Sequence, residues 1–284
     1  FAALSGDQVG AMTTEQVGSL TVAQIAKMTT AQAQAMSGEQ LAALDQSAQV
    51  QTLTSSVLAV LEEDQLTALS ADQVSALTAK QIGALSGAQI SKLSAEQIAG
   101  WSNAQVQAIS LGAMATLSTD FVAALTQSQV TALTDKQVKE MTAEQLGAMT
   151  GEQLGAMDAK DLVGLTAEEL NNLSSDQFNA LSEAQIQALT VAQITNLDDE
   201  IIQGMGQEQI AALTTAQVQA LTVDSTGVMS LAAAKLSKTA RKSVVMGADG
   251  DPTPGQITKF SAEQMAMFTE TQVKAFTTAQ IGAL

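Results

Sequence analysis

A hydrophobic anchor returns every eight residues along almost the whole chain, followed five places later by a second apolar residue. The phrase is Leu-[Ser/Thr]-x-x-Gln-[Val/Ile/Leu]-x-Ala. Leu69, Leu77, Leu85 and Leu93 mark it, and so do Leu165, Leu173, Leu181 and Leu189. The first anchors are Leu4, Met12, Leu20, Met28, Met36 and Leu44, after which one extra residue intervenes. From Leu53 to Leu221 the step of eight holds without a slip. The register is lost after Met229 and returns at Phe260, Phe268, Phe276 and Leu284. A fixed short period of this kind defines the architecture before any single side chain is considered.

One continuous helix does not fit. Eight residues turn through about 800°, so the apolar stripe would drift by about 80° per repeat and no fixed partner could cover it. A strand does not fit either, because the first and sixth positions would point to opposite faces. Ala, Gln, Glu and Gly are also poor strand formers. One short helix per octad fits both spacing and chemistry. The second position is usually Ser or Thr, with Gln, once Glu at position 169, three residues on. That is a capping box: the hydroxyl accepts an early backbone N–H, and the Gln side chain reaches back to the cap's own N–H. Ser5/Gln8, Thr78/Gln81, Ser94/Gln97 and Thr166/Glu169 are examples. Leu77 with Ile82 and Leu213 with Val218 have the spacing of the hydrophobic staple.

Helices of at most two turns do not survive alone and must stack on neighbours. The predicted fold is therefore all-α: a solenoid or superhelix of very short helices, one per eight-residue repeat. Anchors and sixth positions form its core, Trp101 included. The small residues at positions seven and eight, such as Gly83-Ala84 and Gly147-Ala148, let helices approach closely. Positions three and four carry the charge, as in Glu15, Asp72, Lys80, Glu96 and Lys136.

The breaks divide the chain into an octad-repeat solenoid over 1–221, a non-repeat insertion over 222–259 and resumed octads over 260–284. Within the first part, 45–60 carries the inserted residue and loses the regular Gln, which predicts a kink or bulged turn. Residues 109–121 keep register, but Ala113 and Phe121 stand where Gln is expected. Asp198-Asp199-Glu200 replaces one cap with an acidic cluster, suited to a helix start. Phe1 falls at the sixth position of an octad and Leu284 at the first, with no initiator Met. The chain reads as a segment or processed form of something longer.

The insertion holds the one Arg of the chain. Residues 229–246 read as one longer helix carrying Lys235, Lys238, Arg241 and Lys242, and 247–256 as a turn-rich loop with both prolines. Against an acidic body, this basic segment is either a docking element, onto the solenoid or a neighbouring copy, or an ordinary insertion with solvated charges. Asp249-Gly250-Asp251 resembles the start of a calcium loop and makes Asp249 and Asp251 candidate metal ligands. The full loop needs further ligands and a closing Glu, whereas Pro252 and Pro254 follow here. Calcium is thus the one ion considered, and no other cofactor is expected.

Composition narrows function. There is no Cys, His or Tyr, so of the usual catalytic groups only carboxylates, Lys and hydroxyls remain, and most hydroxyls are committed to caps. An enzyme and a small-molecule substrate are not expected. A net charge of −17 and a pI near 4.1 argue against nucleic acid and anionic membrane surfaces, which need a cationic footprint. No run of apolar residues is long enough to span a bilayer.

The run LTAEELNNLSSDQFNALSEAQIQALTVAQITNL resembles the Leu-Thr-x-x-Gln-Val-x-Ala-Leu arrays of very long secreted or cell-surface, adhesin-like repeat proteins of Gram-negative bacteria. The resemblance covers about four-fifths of the chain and implies an extracellular, structural setting. It brings no catalytic residue. A single octad also looks like the opening of a TAL-effector repeat, but that family's longer repeat and basic DNA-facing surface are missing.

Together these readings predict a structural extracellular protein, a subunit or segment of a filament, stalk, sheath or adhesin that self-assembles. The residues expected to carry self-association are Phe1, Phe260, Phe268 and Phe276 at the ends and the basic Lys235, Lys238, Arg241 and Lys242. The competing expectation is a solenoid scaffold that binds a peptide, glycan or partner protein.

Overall fold

The computed structural model describes residues 1–45, 48–221 and 260–276. The described residues are all-helical, with no strand among them. Among the described residues the octads give one α-helix of four to six residues each, from Gly6–Gly10 onward, except the octad after Leu44. The reason is local. The cap is extended, as at Thr78 (φ −71°, ψ 157°), and its hydroxyl accepts the N–H of the Gln three residues on. Where an anchor follows directly on a helix, it is extended too: Leu125 has φ −63°, ψ 137° and the cap Thr126 φ −72°, ψ 158°. Two extended residues in succession stop the helix and re-aim the chain before the next one starts.

The chain forms two compact units, Phe1–Met149 and Thr150–Leu284. Within each unit a helix packs mainly on the third helix along the array rather than on its sequence neighbour. In the first, Asn103–Ala108 packs on Ala79–Ile82 and Ala95–Ala99 on Ala71–Ser75. In the second, Ala159–Leu162 packs on Glu183–Ala188 and Ser175–Asn179 on Asp199–Gly204. Three octads, or 24 residues, therefore make one superhelical turn in each unit.

The core is a double row of apolar side chains. Anchors such as Leu77, Leu85, Leu173 and Leu189 are buried, as are the sixth-position Ile82, Ile90, Leu170 and Ile186. Trp101 is a core residue, with Phe121 beside it at 6.0 Å between ring centroids. The first turn differs: Leu4 is 38% exposed although it is an anchor. Small residues set the spacing between turns. A Cβ on Gly83 would lie 2.8 Å from the carbonyl oxygen of Ala108, one turn on. Any side chain there would push the turns apart.

The extra residue after Leu44 corrects one expectation. Within 45–60 the regular Gln is absent at Val57, where Thr54 caps its helix without a box, but the octad before it keeps the glutamine function, because Gln49 supplies it from one place later. Its Oε1 accepts the N–H of Asp45, and its Nε2 donates to the carbonyls of Gly18 and Leu20. A single 3-10 turn at Val50–Thr52 then returns the chain to register.

Candidate functional site

The repeated chemical group of this protein is the fifth-position glutamine, and each end of its amide has a separate job. The oxygen closes the capping box. In Gln81, Oε1 accepts from the Thr78 N–H at 2.7 Å, while the Gln81 N–H donates to Thr78 Oγ1 at 3.3 Å. Ser94 with Gln97 and Thr142 with Gln145 repeat the arrangement.

The amide nitrogen reaches the previous turn. Gln81 Nε2 donates to the carbonyls of Val50 (2.9 Å) and Leu53 (2.8 Å). Gln145 does the same to Met114 (2.9 Å) and Leu117 (2.7 Å). In the second unit Gln185 bonds Leu154 and Met157, and Gln217 bonds Ile186 and Leu189. The acceptors lie 31 and 28 residues back: a sixth-position carbonyl and an anchor carbonyl, both at helix ends. Carbonyls at a helix C-terminus have no partner inside their own helix. One buried side chain thus satisfies a donor at the start of its own helix and acceptors at the ends of earlier helices. Gln81 and Gln145 are 3% and 2% exposed, so the dry setting makes these bonds costly to lose. The sequence pattern indicated the cap; it did not indicate this ladder between turns.

Where Gln is missing, another side chain takes over part of the task. Phe121 stands in a Gln place, and the N–H of the cap Ser118 donates instead to Ser91 Oγ at 2.7 Å. Ile201 stands in another, and the N–H of Asp198 donates to Asn171 Oδ1 at 2.9 Å. Asn171 Nδ2 also donates to the carbonyl of Asn196. Asn179 serves Gly206 and Gly204 in the same way, although Gln209 is present in that octad and donates to the carbonyls of Asn179 and Leu181. Asp198 occupies the cap position as expected but makes no side-chain cap bond, and Asp199 and Glu200 fill the first turn.

The ladder is found again beyond the insertion. Gln264 Nε2 donates to Met205 and Gln272 Nε2 to Leu213, across 59 residues rather than 28. The extra 31 residues are accommodated between Leu221 and Phe260 while the contact between octads stays the same. Phe260, Phe268 and Phe276 form an edge-to-face row with centroids 5.2 Å apart. Phe260 and Phe268 are buried within the chain's own core, whereas Phe276 and Phe1 are half-buried. Lys235, Lys238, Arg241, Lys242, Asp249 and Asp251 lie outside the described residues.

The fourth octad position carries a further pattern that the three-octad turn brings into line. Asp72, Glu96, Asp120 and Glu144 recur every 24 residues and are all exposed, so one carboxylate per turn marks one face of the first unit. Glu144 is held below the usual carboxylate range, first by its own backbone N–H and then by the Thr142 hydroxyl. No described helix is long and apolar enough to cross a membrane.

A repeat-family model, the ALTTAQ repeat, matches residues 58–95 and 154–191, one stretch in each unit. The chain is a repeat protein. No curated protein sequence matches it. The two matched stretches contain rung donors such as Gln81 and Gln185 with their caps Thr78 and Ser182, so the similarity to the ALTTAQ repeat falls on the residues that build the ladder.

Proposed function

We propose that this protein is a structural element of the cell exterior, a self-assembling subunit or segment of a filament, stalk, sheath or adhesin. The observation that carries the reading is the ladder. Its chemistry is spent on holding one turn to the next, with the same pair of bonds repeated in both units. Such a device scales with length and gives each added turn the same increment of stability. The extracellular setting rests on the likeness of the octad array to secreted and surface repeat proteins. The basic segment with Lys235, Lys238, Arg241 and Lys242 is the complement of the acidic face marked by Asp72, Glu96, Asp120 and Glu144, and supplies a salt-sensitive clasp between copies. Catalysis, cofactor binding and nucleic-acid binding have no part in the proposal, and calcium at Asp249 and Asp251 is at most an accessory to the insertion.

Electron microscopy of native material tests it: filaments or long stalks are expected, and isolated short particles would overturn it. The second reading is a binding scaffold. A shallow depression in the second unit, lined by Leu181, Ser182, Glu183, Ile186, Glu208 and Ala212 among others, favours it. Isolated particles that capture a peptide or glycan would promote that reading.

A further inference from the structure

Two successive rungs of the ladder are missing inside the first unit. Among its described residues, fifth positions without glutamine follow one another only at Ala113 and Phe121. Gln137 and Gln145 show what such rungs do, each donating to carbonyls 31 and 28 residues back. By the same steps, a glutamine at 113 would serve Ile82 and Leu85, and one at 121 would serve Ile90 and Leu93. Leu85 and Leu93 are buried. Among the described residues their carbonyls accept no hydrogen bond.

The surroundings compensate only in part. The next rung, Gln129, holds Ile98 at 2.7 Å but Trp101 at 3.4 Å. Ser91 Oγ accepts the Ser118 N–H, which settles a cap donor and neither carbonyl. The buried Trp101 Nε1–H has no partner among the described residues. Close packing replaces the missing bonds: a Cβ on Gly87 would lie 2.1 Å from Thr116 Oγ1 and 2.6 Å from the Ala113 carbonyl oxygen. Trp101 and Phe121, which belong to successive turns, meet across the same gap. This contact therefore rests on apolar packing and one hydroxyl, where its neighbours have amide rungs.

We infer that the contact between residues 82–101 and residues 109–121 is a built-in yield point, which opens ahead of the other turns of the first unit and leaves those on either side folded. A buried carbonyl without a donor is costly where it is and regains water on opening. Leu85 and Leu93 thus favour the open state, whereas a carbonyl held by a rung opposes it. Repeats that touch only their neighbours can part at one contact without unfolding as a whole. Under load the solenoid then lengthens first at one defined place. The device lies within one chain and needs no second copy.

Trp101 is the one tryptophan of the chain and reports on the gap directly, because opening parts it from Phe121. Urea unfolding of the 284-residue chain, followed by tryptophan fluorescence and by far-ultraviolet circular dichroism, is the test. The fluorescence change should be complete at a lower urea concentration than the main loss of helix. Ser91→Ala removes the one hydroxyl bond across the gap. It should lower the fluorescence midpoint further and leave the main helix midpoint in place. Amide hydrogen exchange gives a second readout. The Ser118 N–H should exchange at least ~10-fold faster than those of Ser94 and Thr142, whose octads keep their rungs. Coincident fluorescence and helix transitions, or a Ser118 N–H exchanging as slowly as those two, would overturn the inference.

Discussion

Replacing Gln81 by Glu separates the two jobs of the glutamine, since a carboxylate can still accept from the Thr78 N–H but has no proton for the previous turn. The bonds lost are those to Val50 at 2.9 Å and Leu53 at 2.8 Å. Each is worth about 0.5–1.5 kcal/mol net, and leaving the Leu53 carbonyl unpaired costs about 1–3 kcal/mol more, while the Val50 carbonyl keeps the Leu53 N–H. A loss of about 2–6 kcal/mol is therefore expected at pH 7. Thr78→Ala, which removes only the cap hydroxyl, should cost about 1 kcal/mol. The sign with pH follows from the surroundings. Burial and two facing carbonyls raise the introduced carboxyl above its unfolded value. The folded state then binds the extra proton, and stability falls as pH rises from the unfolded value through the folded one. Below that window the protonated acid donates one hydrogen bond again, and part of the loss is recovered. Arrays of repeats can open locally, so amide hydrogen exchange at Val57, Leu58 and Ile82 is the suitable assay, at neutral and mildly acidic pH. A cost for Gln81→Glu no larger than for Thr78→Ala, or one that grows on acidification, would refute the reasoning.

Three further outcomes follow from the same geometry. Gly83→Ala puts a Cβ against the Ala108 carbonyl at 2.8 Å and should cost about 1–3 kcal/mol, whereas Gly112→Ala meets nothing within 4 Å and should stabilise by about 0.5–1 kcal/mol; chemical denaturation of the two variants checks the contrast. Ser91→Ala should lose about 1 kcal/mol by stranding the Ser118 N–H, and a double-mutant cycle with Phe121→Ala should show coupling smaller than the Ser91 effect if the hydroxyl acts on the cap alone. Carbon-detected NMR titration should find Glu144 ionising below an ordinary glutamate, so that its favourable contacts are present at neutral pH and lost as pH falls through its lowered value; Thr142→Val should move it back toward the ordinary value.

The octad register was enough to place the anchors, the sixth positions and the caps. Leu85, Ile82 and Thr78 do what a short-helix reading demands of them. Nothing in one octad tells how far away its neighbour in space lies, because that distance is set by the angle at which two extended residues re-aim the chain. The three-octad turn, and with it the face holding Asp72, Glu96, Asp120 and Glu144, needed the structure. One signal for the ladder was nevertheless present. A capping box accepts Glu as readily as Gln, yet among the boxes built on Ser or Thr this chain uses Glu at position 169 alone. A preference that strong asks for the amide nitrogen as well as the oxygen. Ser91, Asn171 and Asn179 were illegible for a different reason. They sit in seventh positions, where small residues are the rule, and their partners lie 27 residues on.

The central claim is that one glutamine both starts its own helix and ties it to the previous turn. Side-chain amide exchange, read by NMR together with the contacts of each amide, tests it directly. The account predicts slow exchange for Gln81, Gln145 and Gln185, each with contacts to the residue 28 places earlier, Leu53, Leu117 and Met157. Uniformly fast exchange, or amide contacts running to the adjacent octad instead of the third one back, would contradict it.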